Sequence, residues 1–301
     1  MNVAVGMSGG VDSSVAALLL KKAGHEVSGL TMKLWRDPPS AGARRNACYG
    51  PGEEDDIRAA ERVCARLGIT LHVFDCAGEY EEAVLRNFRE EYVAGRTPNP
   101  CVRCNPMVKF GVLPEAARRS GLSFDRFATG HYARVEQDVA SLRYLLKKGL
   151  DPRKDQSYFL YRLSQAQLAA ALFPLGGLLK SRVREIAREE GLPIHDQPES
   201  QDFYDGDWAE LVRQPGAEGE IVDGNGRVLG RHRGTWNYTV GQRKGLGIAA
   251  PEPLYVIAVD AVRNRVVVGP ESETLRRSCV AADCAWVAVE RLTLASPKIL
   301  V

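Results

Sequence analysis

The sequence predicts an α/β fold on a parallel sheet, followed by a smaller β-rich module. Three observations predict it. Val3-Ala-Val5 runs directly into a glycine-serine turn and an apolar-periodic helix. Apolar runs then alternate with helix-period stretches to about residue 196, and from about 205 short apolar runs stand between turns. Alternation at this spacing makes βαβ units, and short strands between turns make a separate β module.

In order, the strand at 3–5 meets the turn Gly6-Met7-Ser8-Gly9-Gly10, and a helix opens at Val11-Asp12-Ser13 with Val15, Ala16 and Leu18 to Leu20 on its buried side. Such a turn at a helix N-terminus binds phosphate, because backbone N–H groups point outward and the helix dipole favours negative charge. No Lys follows the glycines, which excludes a Walker A loop. Gly24 ends the helix, residues 25–34 form a second strand, and 36–56 read as a loop. A helix at 57–67 leads to a third strand at 69–74, with Cys64 and Cys76 in the apolar pattern. A helix at 79–92 precedes Thr97-Pro-Asn-Pro-Cys-Val-Arg-Cys-Asn-Pro106, whose X-Pro steps predict a shaped loop carrying Cys101 and Cys104. Then come a helix at 112–120, a strand at 125–129 leading to Gly130-His131, and helices near 164–172 and 181–190. Runs at 227–229, 238–240, 254–259, 265–268 and 285–289 read as strands.

The 301 residues are 45% apolar and 26% charged, ordinary values for a globular chain. No run of 18 apolar residues predicts a membrane span, and no basic segment precedes the first strand as in a signal peptide. Seven irregularly spaced cysteines read as thiols in a cytoplasmic protein. Net charge is only +2, but residues 141–190 carry ten Lys/Arg against five Asp/Glu, and 225–301 eleven against six. That bias suits a polyanion as well as a solvated surface.

The Ser8-Gly-Gly-x-Asp-Ser13 pattern resembles the PP-loop of the ATP pyrophosphatases. With Gly29-Leu-Thr-Met32, Thr97-Pro-Asn-Pro100, Cys104-Asn, Ala128-Thr-Gly-His-Tyr132, Lys154-Asp-Gln-Ser157, Phe173-Pro-Leu-Gly176 and Tyr238-Thr-Val-Gly-Gln-Arg-Lys-Gly-Leu-Gly-Ile248, the chain resembles the bacterial tRNA-specific 2-thiouridylases. The resemblance implies a doubly wound parallel sheet over 1–204, a β-rich tRNA-contacting domain over 205–272, and at 273–301 the truncated start of a C-terminal β-barrel. It implies adenylation of the C2 oxygen of the wobble uridine by ATP with Mg²⁺, then attack by a cysteine persulfide. The partners implied are tRNAs with Lys, Glu and Gln anticodons and a sulfur-donor protein. The matching position assigns Cys104 as nucleophile, and the C-x-x-C spacing offers Cys101 as its partner. Other matching positions assign Gly6, Met7, Ser8, Gly9, Gly10, Val11, Asp12, Ser13, Met32 and Gly130 to ATP. Pro98, Asn99, Pro100, His131, Lys154, Asp155, Gln156, Gln242, Arg243 and Lys244 fall to tRNA. Arg103 and Lys109 would lower the nucleophile's pKa.

The sequence departs from that pattern in three places. Tyr204 stands where a second, sulfur-receiving cysteine is expected, Cys101 where Asp is frequent, and the chain stops at Val301 inside the expected barrel. For Cys101/Cys104 a redox or persulfide pair ranks first, ligands of an iron–sulfur cluster with Cys48 as a third thiol second, and accidental loop cysteines third. Cys279 and Cys284 read as structural. Besides the sulfurtransferase, the sequence leaves open another PP-loop synthetase that forms amides or modifies tRNA, and a non-catalytic tRNA-binding remnant.

Overall fold

A computed structural model of the chain describes residues 1–36, 47–194, 203–204, 206, 208–213 and 217–291. Part of the expected 36–56 loop and the segment 195–202 lie outside the described residues. In chain order the elements are β1 Asn2–Gly6, α1 Val11–Lys22, β2 Glu26–Lys33, α2 Glu53–Leu67, β3 Leu71–Asp75, α3 Ala77–Tyr80, α4 Arg86–Val93, α5 Pro100–Cys104, α6 Leu113–Arg119, β4 Arg126–Ala128, β5 Ala133–Gln137, β6 Tyr144–Lys148, α7 Gln165–Ala170, β7 Ala171–Leu172, α8 Lys180–Glu189, α9 Trp208–Val212, β8 Gly219–Val222, β9 Val228–His232, β10 Tyr255–Asp260 and β11 Arg265–Gly269. No helix among the described residues is long and apolar enough to cross a membrane.

The chain divides into two units, one of Met1–Ala83, Cys101–Asp205 and Cys284–Val301, the other of Val84–Pro100 and Gly206–Asp283. The first unit is the expected doubly wound α/β domain. Its five strands run in the order β3-β2-β1-β4-β7, every pair parallel. Successive side chains of β1 point to opposite faces. Val3 and Val5 pack with Val15 of α1, Val63 of α2 and Val183 of α8, whereas Ala4 packs with Leu113 and Ala117 of α6 and Leu168 of α7. Each fully buried Val or Leu is worth about 1.5–3 kcal/mol. The strand order reverses between β1 and β4, so the turns after those strands share the crevice where ligands bind in open α/β sheets.

Several elements differ from expectation. Helix α2 starts at Glu53 rather than Ile57, because Glu53 to Asp56 supply an acidic first turn that the dipole favours. The proline-rich stretch is helical, not a loop. Pro100 opens α5, and Asn105–Val112 continues it as a wide π-type helix. Proline at a helix start loses no hydrogen bond, and Pro106, lacking an N–H, stands where the helix widens. A hairpin, β5 with β6, spans 133–148, and its second strand carries the basic Lys147 and Lys148. Residues 285–289 form no strand. The Trp286 and Val287 carbonyls accept hydrogen bonds from Arg143 at 3.3 and 3.1 Å. Cys279 and Cys284, expected as structural, are exposed on irregular backbone.

The second unit holds an open four-stranded sheet of order β10-β11-β8-β9 over a core of Ile221, Leu246, Val256, Val266 and Val268. Tyr238–Val240, expected as a strand, belongs to a looped segment that the Gln242 side chain braces, accepting from the Thr239 N–H at 3.0 Å and donating to the Lys244 carbonyl at 2.9 Å.

Candidate active site

The turn between β1 and α1 is shaped by its own hydroxyls. Ser13 Oγ accepts the Ser8 N–H and lies 3.2 Å from both Ser8 Oγ and the Gly10 carbonyl; Ser14 Oγ donates to that carbonyl at 2.8 Å. Gly9 has φ +77°, and a Cβ there would lie 2.4 Å from the Asp56 carbonyl oxygen. No side chain caps the 12-residue helix α1, so its N-terminal end keeps its donors for an anion. Met7 N–H extends the sheet by donating to the Leu30 carbonyl at 2.7 Å, and Met32 is half-buried on β2. Val11, a core residue, anchors the first turn.

Asp12 is held from two sides. Lys180 Nζ, at the start of α8, donates to its two carboxylate oxygens at 2.7 and 2.8 Å, and Tyr132 Oη donates to Oδ1 at 2.8 Å. The Lys180 side chain is 9% exposed and sits 5.6 Å over the Tyr132 ring. Breaking a buried pair costs about 3–5 kcal/mol; Asp12 is 31% exposed, which puts this one at the lower end. Neither Lys180 nor Tyr132 was among the sequence candidates. A buried lysine reads in sequence like any surface lysine.

Gly130 follows β4 and meets the same turn. A Cβ there would lie 2.7 Å from Asp12 C and Ser13 N. His131 is half-buried against Phe110 and Phe173, with Nδ1 2.7 Å from Thr129 Oγ1. Desolvation, and secondarily Lys109, hold its pKa well below the usual value, so the ring is neutral at pH 7. Gln156 exchanges two hydrogen bonds with Tyr132, accepting from its N–H through Oε1 and donating its own N–H to its carbonyl, both at 2.9 Å. Asp155 accepts from Gly149 N–H at 2.9 Å and from Ser157 Oγ at 2.9 Å. These two side chains therefore brace the turn, and half-buried Lys154 stands beside them.

Cys101 and Cys104 are free, half-buried thiols on α5. Asn105 ties that turn down, donating through Nδ2 to the Cys101 and Phe159 carbonyls at 3.0 and 3.1 Å. The expectation that cations lower the pKa of Cys104 is corrected. Burial pushes its pKa up to about 12, outweighing the lowering by Lys109, and Arg103 instead donates to the Ala83 carbonyl. Burial raises Cys101 as well. At pH 7 Cys104 therefore rests as the neutral thiol. Iodoacetamide labelling of Cys104, followed by peptide mass spectrometry, is expected to quicken about tenfold per pH unit from 7 to 9. A rate flat over that range would show the thiolate already formed.

Tyr204 is buried, its ring 6.2 Å from Tyr49 and 6.4 Å from Trp35. Pro98, Asn99 and Pro100 belong to the second unit, as do Gln242, Arg243 and Lys244. Arg243 and Lys244 are exposed between glycines of positive φ at 241, 245 and 247.

A parallel sheet reversing order at an uncapped, glycine-lined helix start defines a PP-loop nucleotide-handling protein. Residues 1–204 match the family described as tRNA methyl transferase HUP domain, and 211–270 that described as tRNA methyl transferase PRC-barrel domain. The chain is 49% identical over 293 residues to "tRNA-specific 2-thiouridylase MnmA" of Endomicrobium trichonymphae, covering 96% of this chain and 81% of that one. The proteins of the same name from Geotalea uraniireducens and Geobacter metallireducens are 49% and 48% identical, over 95% of this chain and 77% and 78% of theirs. The chain belongs to the tRNA-specific 2-thiouridylase family.

Proposed function

We propose that the protein makes 2-thiouridine at the wobble position of tRNA in the cytoplasm, using ATP and a cysteine persulfide. The uridine C2 oxygen attacks the α-phosphorus of ATP and pyrophosphate leaves. The terminal sulfur of a Cys104 persulfide then adds at C2 and AMP leaves. Cys101 attacks the Cys104 sulfur, freeing the thiocarbonyl and leaving a Cys101–Cys104 disulfide, which a dithiol reductant reopens. The observation that carries this reading is two free thiols one helical turn apart in the same unit as an uncapped PP-loop. The matched family descriptions speak of methyl transfer, which gives a thiol pair no such role; the relatives' names fit it.

The substrates we infer are tRNAs with Lys, Glu and Gln anticodons, and a desulfurase or relay protein supplies sulfur. The functional division proposed is catalysis in 1–204 and tRNA contact in 205–272. Mg²⁺ fits as the counterion of ATP. Both oxygens of Asp12 are engaged by Lys180 and Tyr132, so the loop carboxylate is not a ligand in this arrangement. Among the described residues no three His, Cys, Asp or Glu side chains gather to hold a metal ion. Cys101 and Cys104 supply only two of the thiolate ligands an iron–sulfur cluster needs, and no step runs through one.

Ser13→Ala removes the hydroxyl that ties the turn to Ser8. It is expected to slow tRNA-dependent pyrophosphate release by about 10-fold, about 1.4 kcal/mol in the transition state, while thermal unfolding shifts little. Wild-type ATP consumption in both Ser13→Ala and Asp12→Ala would sink the phosphate assignment. Binding of tRNA is expected to weaken steeply with salt, since Lys154, Arg243 and Lys244 would neutralise phosphates. Filter binding from 50 to 200 mM salt checks this. A flat dependence would reject it.

A further inference from the structure

Two thiol-bearing segments of the first unit meet at buried Tyr80. Tyr49, next to Cys48, stacks on the Tyr80 ring, and Arg103, next to Cys104, donates through Nε to the Ala83 carbonyl at 3.1 Å, three residues on from Tyr80. In keeping with that placement, charge on Cys48 raises the pKa of Cys101 and of Cys104. Cys48 is held there by its neighbour. The Tyr49 ring stacks on Tyr80 at 5.2 Å and meets Trp35 edge-on at 4.9 Å, and the Tyr49 N–H donates to the Phe203 carbonyl at 2.9 Å. Tyr49 and Tyr80 are both buried, so the aromatic cluster fixes the backbone from which Cys48 projects. The three thiols differ in access. Cys48 is exposed, whereas Cys101 and Cys104 are half-buried on a helical turn. A protein carrying a persulfide therefore meets Cys48 first.

We infer that Cys48 is the entry thiol, taking sulfur from an external persulfide and passing it to Cys104. This rests on the reading that Cys104 delivers sulfur to the uridine. The Cys48 thiolate attacks the outer sulfur of the donor persulfide, forming Cys48–S–SH and releasing the donor thiolate. The Cys104 thiolate then attacks that outer sulfur, forming Cys104–S–SH and returning Cys48 as a thiolate. Each step exchanges one S–S bond for another and needs no added oxidant or reductant. Passage through an accessible thiol also explains how a sulfur in so desolvated a place as Cys104 is loaded.

The test uses the full chain with glutathione persulfide as probe, without ATP or tRNA, and peptide mass spectrometry after alkylation. Persulfide is expected on Cys48 first and on Cys104 later. In Cys104→Ser it should accumulate on Cys48, and in Cys48→Ser and Cys48→Ala the loading of Cys104 should slow at least tenfold. Cys279 and Cys284 are also exposed and serve as internal comparison, since replacing either should not slow Cys104. A thermal midpoint of the Cys48 variants equal to wild type excludes misfolding. Loading of Cys104 at the wild-type rate in both Cys48 variants would overturn the inference, as would a Cys104→Ser chain whose Cys48 stays unmodified. If wild type loads Cys48 first yet makes no 2-thiouridine when ATP and tRNA follow, the reaction reading fails and the entry thiol stands.

Discussion

Cys104→Ser is expected to abolish 2-thiouridine formation, by at least about 1,000-fold, while tRNA-dependent pyrophosphate release continues. The replacement is close in size, and Cys104 ends α5 in a half-buried place that Asn105 and Val102 secure, so the fold should survive. A hydroxyl cannot carry a second sulfur, so the adenylated uridine has no sulfur to receive. The effect therefore falls on the step after adenylation, and the two readouts must separate. Nucleoside mass spectrometry of tRNA gives the first and a pyrophosphate assay the second. Thiolation retained by this variant would remove Cys104 from the reaction. Loss of both readouts with a lowered thermal midpoint would mean that the sulfur atom is structural.

What could be read beforehand followed from how local each feature is. The strand–turn–helix at 2–22 is encoded by adjacent residues, and the structure has it where the sequence put it. The parallel sheet was legible from period alone. The 97–112 stretch misled because proline breaks a helix interior but opens a helix start, and sequence alone does not say which applies. The state of Cys104 misled differently: neighbouring cations are visible in sequence, but burial is not, and burial wins. Lys180 meets Asp12 across 168 residues and Tyr49 meets Tyr80 across 31, pairings that only the folded chain creates. Cys48 was noticed only as a third thiol in a loop, because its pinning depends on that aromatic cluster.

Gly130→Ala should cut ATP-dependent pyrophosphate release by about 100-fold, the scale of a 1 Å misplacement at a reacting centre. The added methyl would lie 2.7 Å from Asp12 C and Ser13 N and 3.0 Å from Asp12 Cβ. The two nearest atoms are backbone of the first turn of α1, so no rotamer change relieves the contact. The turn must move, or β4 must. Yet Asp12 is pinned by Lys180 and Tyr132, and Ser13 by Ser8 and Gly10, so movement strains hydrogen bonds that shape the anion site. Overpacking of this kind costs about 1–3 kcal/mol. Gly177→Ala is the matched comparison: a Cβ there has no heavy atom within 4 Å, and stability should stay within about 0.5 kcal/mol of wild type. The measurements are pyrophosphate release against ATP concentration and thermal unfolding of both variants. If Gly130→Ala turns over ATP like wild type, the turn after β4 does not abut the phosphate site, and the crevice between β1 and β4 is not where ATP is cut.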